Sequence, residues 1–325
     1  MGIRFWRIVP ALFLTAIGLC LPQPLLSQTT PLKPLVAGGG ECLMITMDIL
    51  GDVYKPRTRG FSLEVRVDGE TKAMKDLTEG SIQMAMMARD ASAEELAFFQ
   101  AKWGYAPTRV ALAMDALVAV VHKDNPVKSL QSEQTNAIFT TDRGMGWPKD
   151  ILTWGDAGVS AADWRDRPIS IYTRAKDSSV KGLIMQFFYP SYHLRPARVV
   201  LDAMAMTEAI AADPGGICMA NLVDVFASLR AIPIRIPGSS IAIAPSPETV
   251  SSGAYPWSRF LSVYVNKNPK TGMEPSLKAF LVFALSAEGQ QLVQAVGQAP
   301  LGRDINALNT LKVTDTFTAT PATLR

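Results

Sequence analysis

Short β-favouring runs and helix-period runs alternate along this chain, and that alternation narrows the fold more than any other feature. "FSLEVRV" (61–67) alternates apolar and polar residues and reads as a strand. "DGETKAMKDLTEG" (68–80) reads as a turn and a short helix, and "SIQMAMMARD" (81–90) as a buried strand ending in two charges. "SAEELAFFQ" (92–100) opens on Ser92 with acids in its first turn, a standard helix start. "VALAMDALVAVVHKDNP" (110–126) is apolar, β-rich near its end, and stops at Asn125-Pro126. Strands taking turns with helices in this way argue an α/β fold.

The second half continues the pattern. "ISIYTRAKDSSVKGLIMQFF" (169–188) is a β-favouring run that stops at Arg174. A polar string follows, and apolar residues then return at Val180, Leu183, Ile184 and Phe187 in helical spacing. It reads as strand, turn, helix, with Asp177, Ser178 or Ser179 as the cap. Free N–H groups at such a helix start attract anions, and an arginine precedes them. "AMTEAIAADPGGICMA" is helix, turn, strand; "FLSVYVN" is a strand. From Ser276 to Gly297 the chain is helical, with Ser286 restarting a second helix.

With 325 residues the chain can bury a large core in one or two domains. Arg4 and Arg7 precede the apolar run Ile8 to Leu21, which breaks at Pro22 and Pro24 before the small residue Ser27. This has the form of a secretory signal peptide over residues 1–27. An uncleaved anchor and a lipoprotein built on Cys20 are the alternatives, the latter disfavoured by the large Leu19 before it. Removing the segment lowers the formal charge from +3 to +1, with 30 basic against 29 acidic side chains. No basic stripe with interleaved aromatics appears, so nucleic acid is not an expected partner. Cys42 and Cys218 remain; they are far apart in sequence, and either a disulfide or two buried thiols is compatible with an oxidising compartment. His122 and His193 are the only histidines, and no Cys/His spacing points to a metal. There is no nucleophile elbow and no phosphate-binding P-loop, and Asp48 and Asp52 read as a solvated helix face. No catalytic residues and no cofactor are expected.

Three polar turns follow strands: Gly38 to Glu41, Arg89-Asp90, and Arg174 to Ser179. In open α/β sheets ligands sit beyond the strands' carboxyl ends, where such turns converge. The order of segments then becomes distinctive. "DALVAVVHKDNPVKSLQSEQTNAIFT", "TWGD", "PISIYTRAKDSS", "SSGAYPWSRFLSVYVNK" and "KAFLVFALSAEGQQLVQAVGQAPL" together closely resemble the phosphate-binding periplasmic protein family, the solute receptors of phosphate ABC importers. The resemblance covers about residues 35 to 303. It implies a two-lobe periplasmic-binding-protein fold of type II character, with the lobes joined by two β-strand crossings. Lobe one would comprise residues 28–112 and 257–325, and lobe two residues 113–256, with crossings near Ala111–Asp115 and Ala254–Trp257.

The family's binding residues carry over unevenly. Its phosphate-pairing arginine matches Arg174 and its hydrogen-bonding serine matches Ser178. Ser179 and Val180 stand where the family has glycine and threonine. The proton-accepting acid matches Asp90, and Arg89 matches an arginine some members carry near that turn. The family's N-terminal hydroxyl-bearing turn is Gly38-Gly39-Gly40-Glu41-Cys42 here, and its Gly-Ser-Gly turn is Asp68-Gly69-Glu70-Thr71-Lys72. Thr71 can still donate and Lys72 can assist. Glu41 and Glu70 thus place carboxylates where neutral donors belong, which in a closed cleft disfavours a dianion by about a few kcal/mol unless they are paired. Lys72, Arg89 and Arg174 are the candidates to neutralise them; otherwise the ligand is not phosphate. What the resemblance implies is an exported, monomeric binder of phosphate or a related small oxyanion, serving a membrane ABC permease. A degenerate receptor with a non-phosphate ligand, or with a signalling or cell-envelope scaffold role, is the other reading.

Overall fold

A computed structural model describes residues 33–174, 184, 186–191 and 193–314. The expected signal peptide and the turn residues Asp177, Ser178 and Ser179 lie outside them. The strands are β1 (Leu35–Gly39), β2 (Leu63–Val67), β3 (Met84–Met87), β4 (Thr108–His122), β5 (Leu130–Gln131), β6 (Ser170–Arg174), β7 (Arg198–Val200), β8 (Gly216–Asn221), β9 (Leu229–Ala231), β10 (Ile234–Arg235) and β11 (Ser258–Val265). Most join one mixed sheet in the order β2-β1-β3-β11-β4-β8-β6-β7, with β9 also on β4; β5 and β10 pair separately. β1 is parallel to β2 and β3, and β6 is parallel to β7 and β8. β11 and β4 run antiparallel to their neighbours.

β4 is shared by the two halves of this sheet. Its first part, to Ala116, pairs with β11, and from Leu117 onward it pairs with β8. Only a long, nearly uninterrupted apolar run can do this, because the strand is buried from Val110 to Val121. The partner change falls just beyond the stretch expected for the first crossing, since Asp115 is still registered against Arg259 of β11. The chain returns beside it at residues 254–257. There the Leu117 N–H donates to the Trp257 carbonyl at 3.1 Å, and the Tyr255 hydroxyl donates to the Leu117 carbonyl at 3.3 Å. Trp257 packs edge-on against Phe188 and Tyr255, with centroids 5.7 and 6.2 Å away.

Helix α1 is Met44–Tyr54, α2 is Glu70–Glu79 and α3 is Ala93–Trp103. Two of the helices start at the serines expected to cap them, whereas α1 and α2 start without a side-chain cap. Ser92 and Glu95 close a reciprocal capping box on α3, and Ser286 caps the helix Ala287–Ala295. The C-terminal helix Arg303–Thr314 packs back on β4, where Asn309 accepts from the Ala111 N–H at 2.9 Å. Among the described residues no helix is long and apolar enough to cross a membrane.

Candidate functional site

The carboxyl ends of β1, β2 and β3 build one wall. β1 ends at Gly39, at φ +145°, where a Cβ would lie 2.2 Å from the Met86 carbonyl oxygen. Only glycine lets β1 and β3 approach this closely here. Gly40 follows, its N–H donating to Met86 O at 3.1 Å, and Glu41 opens a short 3-10 turn, Glu41–Leu43. Glu41 is half exposed, and its Oε1 lies 3.4 Å from Arg174 Nη1, on the other half of the sheet. Glu70 begins α2, where the helix N-terminus favours an acid. Its Oε1 accepts the Ala88 N–H at 2.6 Å and its Oε2 lies 3.2 Å from Arg89 Nε. Burial pushes the Glu70 carboxyl upward, with the Ala88 N–H and Arg89 acting against it.

The two carboxylates that would repel an anion are therefore paired, Glu70 with Arg89 and Glu41 with Arg174. Arg89 also forks onto Glu95 at 2.7 and 2.8 Å and donates to Thr71 Oγ1 at 3.1 Å. Thr71 is thereby tied to Arg89. Lys72 does not neutralise either glutamate. It turns to Asp68 at 2.9 Å and to Asp76, its partners four residues away on either side in and before α2. Asp90 is 73% exposed and pairs with Arg109 at 2.8 Å.

The opposite wall comes from β6 and β8. Arg174 ends β6 with its side chain 11% exposed. Its Nη2 lies 3.8 Å from Asp224 Oδ2, and among the described residues that nitrogen has no hydrogen-bond partner. Asp224, in the turn Leu222–Asp224 after β8, accepts from Asn221 Nδ2 at 3.1 Å. Burial pushes the Asp224 carboxyl upward; Arg174 opposes this, and Asp115 adds to it. Cys218 of β8 and Cys42 of the β1 turn are both free thiols, each pushed up to about 12 by burial.

Between the walls lies a cluster that sequence reasoning missed. Arg259 Nη2 is 3.1 Å from Asp115 Oδ2 and 2.9 Å from Asn221 Oδ1. Asp115 Oδ1 accepts the Leu222 N–H at 3.2 Å. Asp115, Asn221, Asp224 and Arg259 thus form a hydrogen-bonded string reaching toward Arg174. One signal was available: Asp115 is the one charge in the apolar run Val110 to Val121, and a buried acid needs a partner. Among the described residues no group of three or more His, Cys, Asp or Glu is placed to hold a metal ion.

A mixed sheet shared through one long strand, with buried arginines where the strand ends of its two halves meet, is the architecture of a two-lobe periplasmic binding protein. The comparisons with known proteins agree. Residues 27–288 match the PBP superfamily domain. The phosphate-binding protein PstS of Pseudomonas aeruginosa is 31% identical over 269 residues, covering 81% of each chain. Among solved structures, an ABC-type phosphate transport receptor from Vibrio cholerae superposes with a TM-score of 0.64 at 20% identity, covering 81% of this chain and 98% of that one. A Clostridium perfringens protein solved with bound phosphate gives a TM-score of 0.65 at 21% identity, covering 83% and 100%. The chain belongs to the PBP superfamily and, within it, to the family of the Pseudomonas aeruginosa PstS.

Proposed function

We propose that this protein is an exported receptor that binds phosphate or a related oxyanion between its lobes and presents it to an ABC permease. The observation that carries the reading is Arg174: a buried guanidinium at the carboxyl end of β6, with Nη2 making only a long ion pair to Asp224 and no hydrogen bond among the described residues, and with Glu41 of the opposite wall beside Nη1. A tetrahedral oxyanion offers the acceptor geometry a guanidinium prefers, and the low-dielectric walls strengthen the pair. Binding would swap the loose contacts to Glu41 and Asp224 for shorter charge-assisted hydrogen bonds. Asp177, Ser178 and Ser179, which come after Arg174, Ala175 and Lys176 in the chain and lie outside the described residues, are the proposed source of further N–H and hydroxyl donors.

The lobes are taken as residues 28–112 with 257–325, and 113–256. The change of β4 partner after Ala116 and the start of β11 at Ser258 support that division. Occupancy would favour the closed arrangement because ligand contacts come from both walls. A thermal-shift panel of phosphate, sulfate, molybdate and small carboxylates tests the reading. A rise in melting temperature with phosphate is expected. No shift with any anion would point instead to a scaffold role.

A further inference from the structure

Arg259 sits where β4 exchanges β11 for β8, registered directly against Asp115. Its side chain is 6% exposed and that of Asp115 only 3%. A guanidinium carries five N–H donors and stays charged, so a purely structural arginine at this depth should spend those donors on its neighbours. Arg259 does not. Nη2 serves both Asp115 and Asn221, while among the described residues Nε and Nη1 have no hydrogen-bond partner. Its carboxylate partner is also divided, since Asp115 gives its second oxygen to the Leu222 N–H.

The idle donors lie within the same network as Arg174. Asn221 accepts from Arg259 and donates to Asp224, whose carboxylate faces Arg174 Nη2. The positive charge of Arg259 also acts on Glu70 and Cys42, at the ends of the strands forming the opposite wall. Arg259 is thus joined to the Arg174 wall through Asn221 and Asp224, and its charge is felt at Glu70 and Cys42 on the other.

We propose that Arg259 is a second guanidinium ligand of the bound anion, donating through Nε and Nη1 to a tetrahedral oxyanion whose other oxygens meet Arg174. This rests on the oxyanion-receptor reading and extends it. Because Arg259 belongs to the strand pair that joins the two halves, the ligand contacts the junction itself as well as the walls. Asp115 and Asp224, buried beside Arg259 and Arg174, already offset their two charges, so what Arg259 adds for the anion is directed guanidinium donors rather than net charge.

The test is calorimetric titration of phosphate into the wild-type protein and into Arg259→Lys, which keeps the charge opposite Asp115 but loses the planar donor array. Affinity is expected to fall about 30-fold or more, the loss typical of truncating one member of a buried, hydrogen-bonded charge pair, with the ligand-free melting temperature close to wild type. Crystals of the wild-type protein grown with phosphate give a second readout that does not depend on the variant folding. They are expected to show Arg259 Nε and Nη1 within about 3.2 Å of phosphate oxygens. Phosphate bound by wild type but equally by Arg259→Lys, or seated on Arg174 with Arg259 out of contact, overturns this inference and leaves the receptor reading standing. Absence of binding by wild type of phosphate, sulfate and molybdate alike overturns both.

Discussion

Glu41 is the group whose removal should strengthen the receptor. Its carboxylate lies 3.4 Å from Arg174 Nη1, so it occupies a direction from which an anion would approach. Two unit charges at that distance attract by about 5 kcal/mol at an effective dielectric near 20, and by about 1 kcal/mol in water. Half of the Glu41 side chain is exposed while Arg174 is buried, so the pair belongs nearer the lower figure. Roughly 1–2 kcal/mol is then spent separating them when an anion takes over Arg174. Glu41→Gln keeps the shape and removes the charge. Phosphate should bind about 5- to 30-fold more tightly, by the usual conversion of about 1.4 kcal/mol per decade. Isothermal titration calorimetry of both proteins at one low salt concentration measures this. Raising the salt should shrink the difference, because the pair is partly exposed to screening ions. Equal or weaker binding by the variant would refute the reasoning. Glu41 would then serve the ligand, by accepting a proton from it, rather than compete with it.

Three further outcomes follow from the same geometry. Asp224 has its carboxyl pushed up by burial, so its folded-state contribution is favourable below the usual carboxylate range and is lost as pH rises through the raised value; Asp224→Asn should therefore raise the ligand-free melting temperature near neutral pH, with the gain fading toward about pH 4. Gly39→Ala places a Cβ against Met86 O in a left-handed backbone conformation, and should lower the urea midpoint by an amount corresponding to about 1–3 kcal/mol or more. If Arg4, Arg7 and the run to Leu21 form an export signal, mass spectrometry of exported protein should place its N-terminus near Gln28; an intact Met1 or a lipid on Cys20 would contradict that.

The elements were legible because their signals are local. The capping box of Ser92 and Glu95 lies within one turn, and the strand–helix alternation needs only a window of a few residues. Arg174 was legible from its place at a strand's end and from the family resemblance. Asp115 stood out as an acid in an apolar run, but its pairing with Arg259 was not legible, because the two lie 144 positions apart and meet only through the antiparallel register of β4 and β11. Nothing in "AYPWSR" or "LAMDAL" announces that pairing. The roles of the carboxylates were half legible. Glu41 and Glu70 stand out as acids in turns expected to carry hydroxyls, but their neutralising partners are fixed by strand ends that converge only in the folded chain. Lys72 had two acids at helical spacing, Asp68 and Asp76, and this local preference outweighed any reach toward the site.

The central claim is that a buried Arg174 holds an oxyanion between the lobes. Calorimetric titration of phosphate into the wild-type protein and into Arg174→Ala, both checked for cooperative melting, tests it most directly. The account predicts saturable phosphate binding by wild type and a loss of roughly 2–5 kcal/mol in the variant, with the fold retained. Phosphate binding of equal strength in both proteins, or no binding by wild type at all, would contradict it.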